Sequence, residues 1–263
     1  MERKVKIDID GKVANIVLND AANYNPLNQE MGKELLEVLE RLRDDENVRC
    51  LMITGSGKAF SAGGDIKAFK ESIEQGRPGE YMDELLKSLY TIALVLRQYP
   101  KPIVAAVNGW AVGAGMNLAL SCDLIIASNK AKFRQSFSKL ALIPGFAGTM
   151  LLSRQLTWQQ ATEMAFFGDT YTADDMLKLG LVNEVVDPER LLERANEMAT
   201  KLASGPTLTY ARTKKLFFDA LSGPLIEHLE NERQMQIKSA ETQDFKIGVF
   251  AINDKKEPEF IGK

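Results

Sequence analysis

Two glycine-rich turns, GSGKAFSAGGDI (55–66) and VNGWAVGAGMNL (107–118), present the same residue types in the same order: an apolar strand, a run of glycine and alanine, then a helix. The first backbone N–H groups of a helix lack intrahelical acceptors and carry the positive end of the helix dipole. Small side chains let a ligand oxygen approach that backbone. Two such turns on neighbouring strands can aim two amides at one oxygen, the arrangement that stabilises an enolate or a tetrahedral oxyanion. Tight packing of strand against helix is the other use of such turns. The spacing of Gly109, Gly113 and Gly115 is GxxxGxG, not the GxGxxG dinucleotide fingerprint, and no Walker sequence is present.

Other reactive side chains are few. His228 is the single histidine, which excludes a multi-histidine metal site and ties any serine or cysteine triad to one residue far along the chain. Cys50 and Cys122 lie in apolar segments and are expected as buried free thiols, not as a disulfide framework. Lysine and arginine (33) are interspersed with aspartate and glutamate (36), so the basic patch of a nucleic-acid binder is missing. No apolar run reaches the ~20 residues of a membrane span. The opening MERKVKIDIDGKV has no apolar core of a secretory signal, and a cytoplasmic location is expected.

The elements that must position the two turns alternate between strand and helix. KVANIVLN (12–19), CLMIT (50–54), PIVAAVNG (102–109), LIIAS (124–128) and KAKFRQ (130–135) read as strands. A helix is expected to start at Asn25-Pro26, with Leu27, Met31, Leu35, Leu36, Leu39 and Leu42 at helical spacing. A second helical region covers about 66–98, softening to a loop around 74–79. LALIPGFAGT (140–149) reads as a loop entering the helix MLLSRQLT. Alternation of this kind predicts an α/β fold with a largely parallel sheet. After VNEVVD (182–187) the pattern is helical, in PERLLERANEMATKLAS, PTLTYARTKKLFFDALS and a run from about 224 to 253.

Together FSAGGDI (60–66), AVNGWAVGAGMNLALSCDLIIA (106–127), AKFRQSFSKLALIPGFAGT (131–149) and SAETQDFKIGVFAINDKKEPEF (239–260) resemble the crotonase superfamily, the enoyl-CoA hydratases, isomerases and their relatives. The resemblance runs in order along nearly the whole chain. It implies a crotonase-like spiral of ββα units, with an acyl-CoA site in residues 1–195 and an oligomerising helical region that covers CoA in 196–263. It implies a homotrimer or dimer of trimers, a CoA thioester as substrate, and no separate cofactor or metal.

By motif position the resemblance places the two oxyanion amides at Ala62 and Ala114. Gly63, Gly64, Asp65 and Ile66 fall on the path of the CoA chain, although Asp65 could instead cap the following helix. Phe250, with Lys255, Lys256 or Lys263, matches the aromatic residue and lysine that a neighbouring subunit brings to CoA. Hydratases of the family carry two glutamates, and those positions here hold Asn117 and Phe137. Neither can exchange a proton with water, though Asn117 can orient one and Phe137 can fill or dry the pocket. FSKLALIP is similar to the phenylacetate-pathway ring isomerases, whose acid position is Gly145 here. Glu80, Tyr81, Asp83 and Glu84 border the acyl pocket as surface or inward-reaching groups, and Lys139 is either a surface lysine or a partner for a carboxylated substrate tail.

Overall fold

In a computed structural model of the chain, which describes residues 2–220 and 223–263, the strands form two sheets, and from β3 to β8 they pass alternately between them. The elements run β1 (Val5–Asp10), β2 (Val13–Leu18), α1 (Gln29–Arg43), β3 (Cys50–Gly55), β4 (Ala59–Ser61), α2 (Ile66–Glu74) and α3 (Pro78–Arg97). Then come β5 (Ile103–Val107), β6 (Trp110–Val112), α4 (Ala114–Ser121), β7 (Leu124–Ser128), β8 (Lys132–Arg134), α5 (Gly148–Gln155), α6 (Trp158–Phe167), β9 (Thr170–Thr172), α7 (Ala173–Lys178) and β10 (Glu184–Val186). The chain closes with α8 (Leu191–Ala203), α9 (Thr207–Asp219), α10 (Leu225–Ala240) and α11 (Gln243–Asn253). Leu221 and Ser222, the end of the segment expected as a helix around α9, lie outside the described residues.

The larger sheet has the order β1-β2-β3-β5-β7-β10 and the smaller β4-β6-β8-β9. The pairs β3–β4, β5–β6 and β7–β8 each put one strand in the large sheet and the next in the small one, so each ββ step advances the chain by one strand in both. The large sheet is parallel from β2 onward, with β1 added as an antiparallel edge. Side chains alternate across a strand, and both faces of β3 are apolar for that reason. Leu51 and Ile53 join the main core with Leu35, Leu39, Leu89 and Leu96 of α1 and α3. Cys50 and Met52 face the other way, where Leu191, Ala195 and Ala199 of α8 cover them.

α8 therefore belongs to the sheet core. The division expected after residue 195 would cut this helix in half, and the helical appendage begins only with α9. Cys50 and Cys122 are buried free thiols, as composition suggested. α4 is buried at every one of its positions, the signature of a helix apolar on all sides. On α10 and α11, by contrast, Ile226, Leu229, Val249, Phe250 and Ile252 are exposed on the single chain.

Candidate active site

The first glycine turn is fastened from behind by a short segment just ahead of α1. The Ala62 N–H donates to the Tyr24 carbonyl oxygen at 2.8 Å, Leu27 N–H to the Gly63 oxygen at 2.7 Å, and Ser61 Oγ to the Asn25 oxygen at 2.7 Å. Asn25 is fully buried, and its amide donates to the Ser56, Ala59 and Phe60 carbonyls. Tyr24 and Asn25 both hold positive φ, which costs a non-glycine residue conformational energy and is repaid by these bonds. The expected helix start at Asn25-Pro26 is thus displaced: α1 begins at Gln29, with Asn28 accepting from the Met31 N–H at 3.0 Å.

These bonds also correct the choice of donor. The Ala62 N–H is spent on Tyr24. Among the described residues the Gly64 N–H, two positions on, has no acceptor, and Gly64 faces the same cavity as Ala62. Asp65 is a cap: its Oδ1 accepts from Lys67 N–H at 3.0 Å and Ala68 N–H at 3.2 Å. Ile66 is over half exposed, at the cavity rim.

The second turn packs directly on the first. Gly113 takes φ +53 with ψ −119, a conformation that side chains resist, and frees Ala114 to be the first residue of α4. Its N–H has no carbonyl one turn behind it. A Cβ on Gly115 would collide with the Ser61 carbonyl and lie 2.7 Å from Ser61 Cβ, so only glycine lets the turns touch.

Asn117 does not reach the cavity. It is fully buried, its Nδ2 donating to the Gly145 carbonyl at 2.7 Å and its Oδ1 accepting from Gln135 Nε2 at 2.6 Å. The loop it holds contains Ala141, Phe146 and Ala147 at positive φ, and such non-glycine strain persists only where surrounding bonds over-determine it. Asn117 is therefore a brace for that loop.

Between the turns, α3 and the braced loop lies a cavity of about 190 Å³. Gly64, Ala114, Phe69, Phe137, Leu85 and Phe146 are among the residues that line it, and Ser136 and Tyr90 supply its side-chain oxygens. No charged side chain lines it among the described residues. Phe137 rests against Gly113 and Gly145, whose Cβ positions would be 3.5 Å and 3.7 Å from its ring.

The groups expected at the border stay outside. Asp83 pairs with Lys87 at 2.5 Å, and Glu84 accepts from Gln29 at 3.2 Å. Tyr81 packs edge-on against Phe69, with ring centroids 5.9 Å apart. Burial, with a smaller push from Asp65 and Glu71, raises its phenol above the ordinary value. Lys139 is exposed and does not line the cavity, and neither does Phe250, which is 67% exposed on α11. His228 sits on α10, 3.9 Å from Glu232, and Trp110 lies in β6, ahead of the second turn.

Sequence reasoning passed over Tyr24, Phe69 and Ser136, and took Asn25 as a helix start and Gln135 as the end of a strand. For Ser136 a signal existed, since it precedes Phe137 directly. For Tyr24 and Gln135 there was none, because their roles come from hydrogen bonds to residues 38 positions later and 18 positions earlier.

A model of the enoyl-CoA hydratase/isomerase family matches residues 8–263. The 1,2-epoxyphenylacetyl-CoA isomerase of Escherichia coli is 34% identical over 256 residues, 97% of each chain. The short-chain-enoyl-CoA hydratase of Clostridium acetobutylicum is 33% identical over 258 residues, 97% of this chain and 96% of the relative. The crystal structure of an enoyl-CoA hydratase from a Polaromonas species superposes with TM-score 0.92 at 30% identity, covering 97% of this chain and 98% of the other.

Proposed function

The chain belongs to the enoyl-CoA hydratase/isomerase family, and from that membership we propose that it binds an acyl-CoA and polarises the thioester carbonyl through the N–H groups of Gly64 and Ala114. The observation that carries this reading is one cavity bordered by both turns, each contributing a backbone amide without a protein acceptor. Preorganised donors of this kind hold the charge of an enolate as it forms, and removal of one costs roughly 3–4 kcal/mol of transition-state stabilisation.

The reaction is an isomerisation or a related enolate step, not an ordinary hydration. Hydration needs one group to deprotonate water and another to protonate the α-carbon. Asn117 is committed to the brace, Phe137 is a hydrocarbon wall, and Gly145 has no side chain. In an isomerisation a proton leaves one carbon of the acyl chain and returns at another, with no net oxidation. Ser136 and Tyr90, or water they hold, are the oxygens in the cavity through which it would pass.

Incubation of enoyl-CoA thioesters in deuterated water tests this. Deuterium entry at the α- or γ-carbon and double-bond migration are expected, with little 3-hydroxyacyl product. Hydration at rates usual for the family would overturn it. The absence of charge from the cavity favours one second reading, a homologue that binds acyl-CoA without turnover. Tight binding with no isotope exchange on any thioester would select it.

We further propose a homotrimer or dimer of trimers, in which the exposed apolar faces of α10 and α11 meet a neighbour and Phe250 reaches its CoA. The two buried unpaired thiols suit a reducing compartment, in keeping with a cytoplasmic location.

A further inference from the structure

We infer that the acyl pocket selects uncharged, apolar acyl groups the size of a short chain or a single ring, and that Phe69 and Phe137 are the side chains that wall it on either turn. The inference rests on the acyl-CoA reading above.

The two rings are disposed alike, one on each oxyanion turn. The tip of Phe69 covers Gly64, where a Cβ would lie 2.7 Å from Cζ, and Phe137 covers Gly113, whose Cβ would be 3.5 Å from Cε2. An acyl chain whose carbonyl met the Gly64 and Ala114 amides would run between these rings. Beyond them the lining is hydrocarbon, from Leu85, Leu89, Leu142 and Phe146. The cavity volume of about 190 Å³ limits the group to a short chain or a single ring.

Charge selection follows from what is absent from the lining. A carboxylate at the far end of the acyl chain would meet no arginine, lysine or histidine there, among the described residues. Lys67, Lys70, Lys87 and Lys139, each next to a lining residue in the sequence, are exposed and outside the lining. An ionised group buried without a partner is strongly disfavoured. An apolar chain instead gains affinity by about fourfold per methylene buried. Phe69 is held in place by its edge-on contact with Tyr81, so the slot exists before a ligand arrives.

The test is equilibrium binding of free CoA, acetyl-CoA, hexanoyl-CoA, phenylacetyl-CoA and adipoyl-CoA, the last matching hexanoyl-CoA in length but ending in a carboxylate. Hexanoyl- and phenylacetyl-CoA are expected to bind at least ~100-fold more tightly than adipoyl-CoA, given the cost of an unpaired buried charge. Phe137→Lys should shrink that ratio by tenfold or more, and Phe137→Leu should leave it within a few fold; melting temperature reports whether each variant is folded. Hexanoyl- and adipoyl-CoA binding alike would overturn the selectivity while leaving the acyl-CoA reading intact. Failure of every thioester to bind better than free CoA would overturn both.

Discussion

Asn117 donates its side-chain N–H to the carbonyl oxygen of Gly145 at 2.7 Å, which joins two of the positions where the sequence resemblance looks for a catalytic acid. The bond turns one of them into a strut and the other into its anchor. Gln135 completes the chain, fully buried and donating to Asn117 Oδ1, with its own Oε1 left without a partner.

Asn117→Ala should lower stability, because it deletes two buried hydrogen bonds and leaves the Gln135 Nε2 without an acceptor. The expected loss is about 2–4 kcal/mol, read from urea unfolding. A drop in turnover at unchanged stability would mean that Asn117 touches the substrate instead.

Gly64 and Ala62 are separated by replacing a single peptide N–H with an ester oxygen, using glycolic acid at 64 or lactic acid at 62. At Gly64 turnover should fall by roughly 100- to 1,000-fold, as for other oxyanion donors. At Ala62 the cost should fall on stability, about 1 kcal/mol for the lost bond to Tyr24. Reversed effects would restore the donor to Ala62.

Gly115→Ala drives a methyl into the Ser61 carbonyl, which is backbone and cannot swing away. A destabilisation of about 3 kcal/mol is expected, together with loss of thioester binding as the two turns separate. Retention of full affinity would show that the turns need not touch.

Neither cysteine should react with a thiol reagent in the folded protein. Burial pushes the Cys122 thiol up to about 12 and that of Cys50 higher still, so at neutral pH neither forms the thiolate that reacts. Labelling should track unfolding by denaturant, and rapid modification of the native chain would contradict the packing of β3 against α8.

The sequence by itself determined the two glycine turns, the strands that feed them, the buried helix that follows the second, and the presence of Asn117, Phe137 and Gly145, none of them an acid, at three positions the resemblance singles out. These follow from local rules: small residues where backbones meet, strand and helix periods in the apolar residues, and plain side-chain chemistry. It also marked the C-terminal stretch as helical, but not that α8 covers the large sheet, since a surface helix and a helix that covers a sheet share the same 3.6-residue stripe. Only the tertiary structure decided which main-chain amide is free. Every residue but proline carries the same N–H, so Ala62 and Gly64 differ only in what stands opposite, and that is Tyr24, 38 residues away from Ala62. In the same way the amide of Asn117 could have faced a ligand or the protein. Gln135 and the strained loop at Gly145 settle that it faces the protein, because a buried amide binds the partners the fold brings to it.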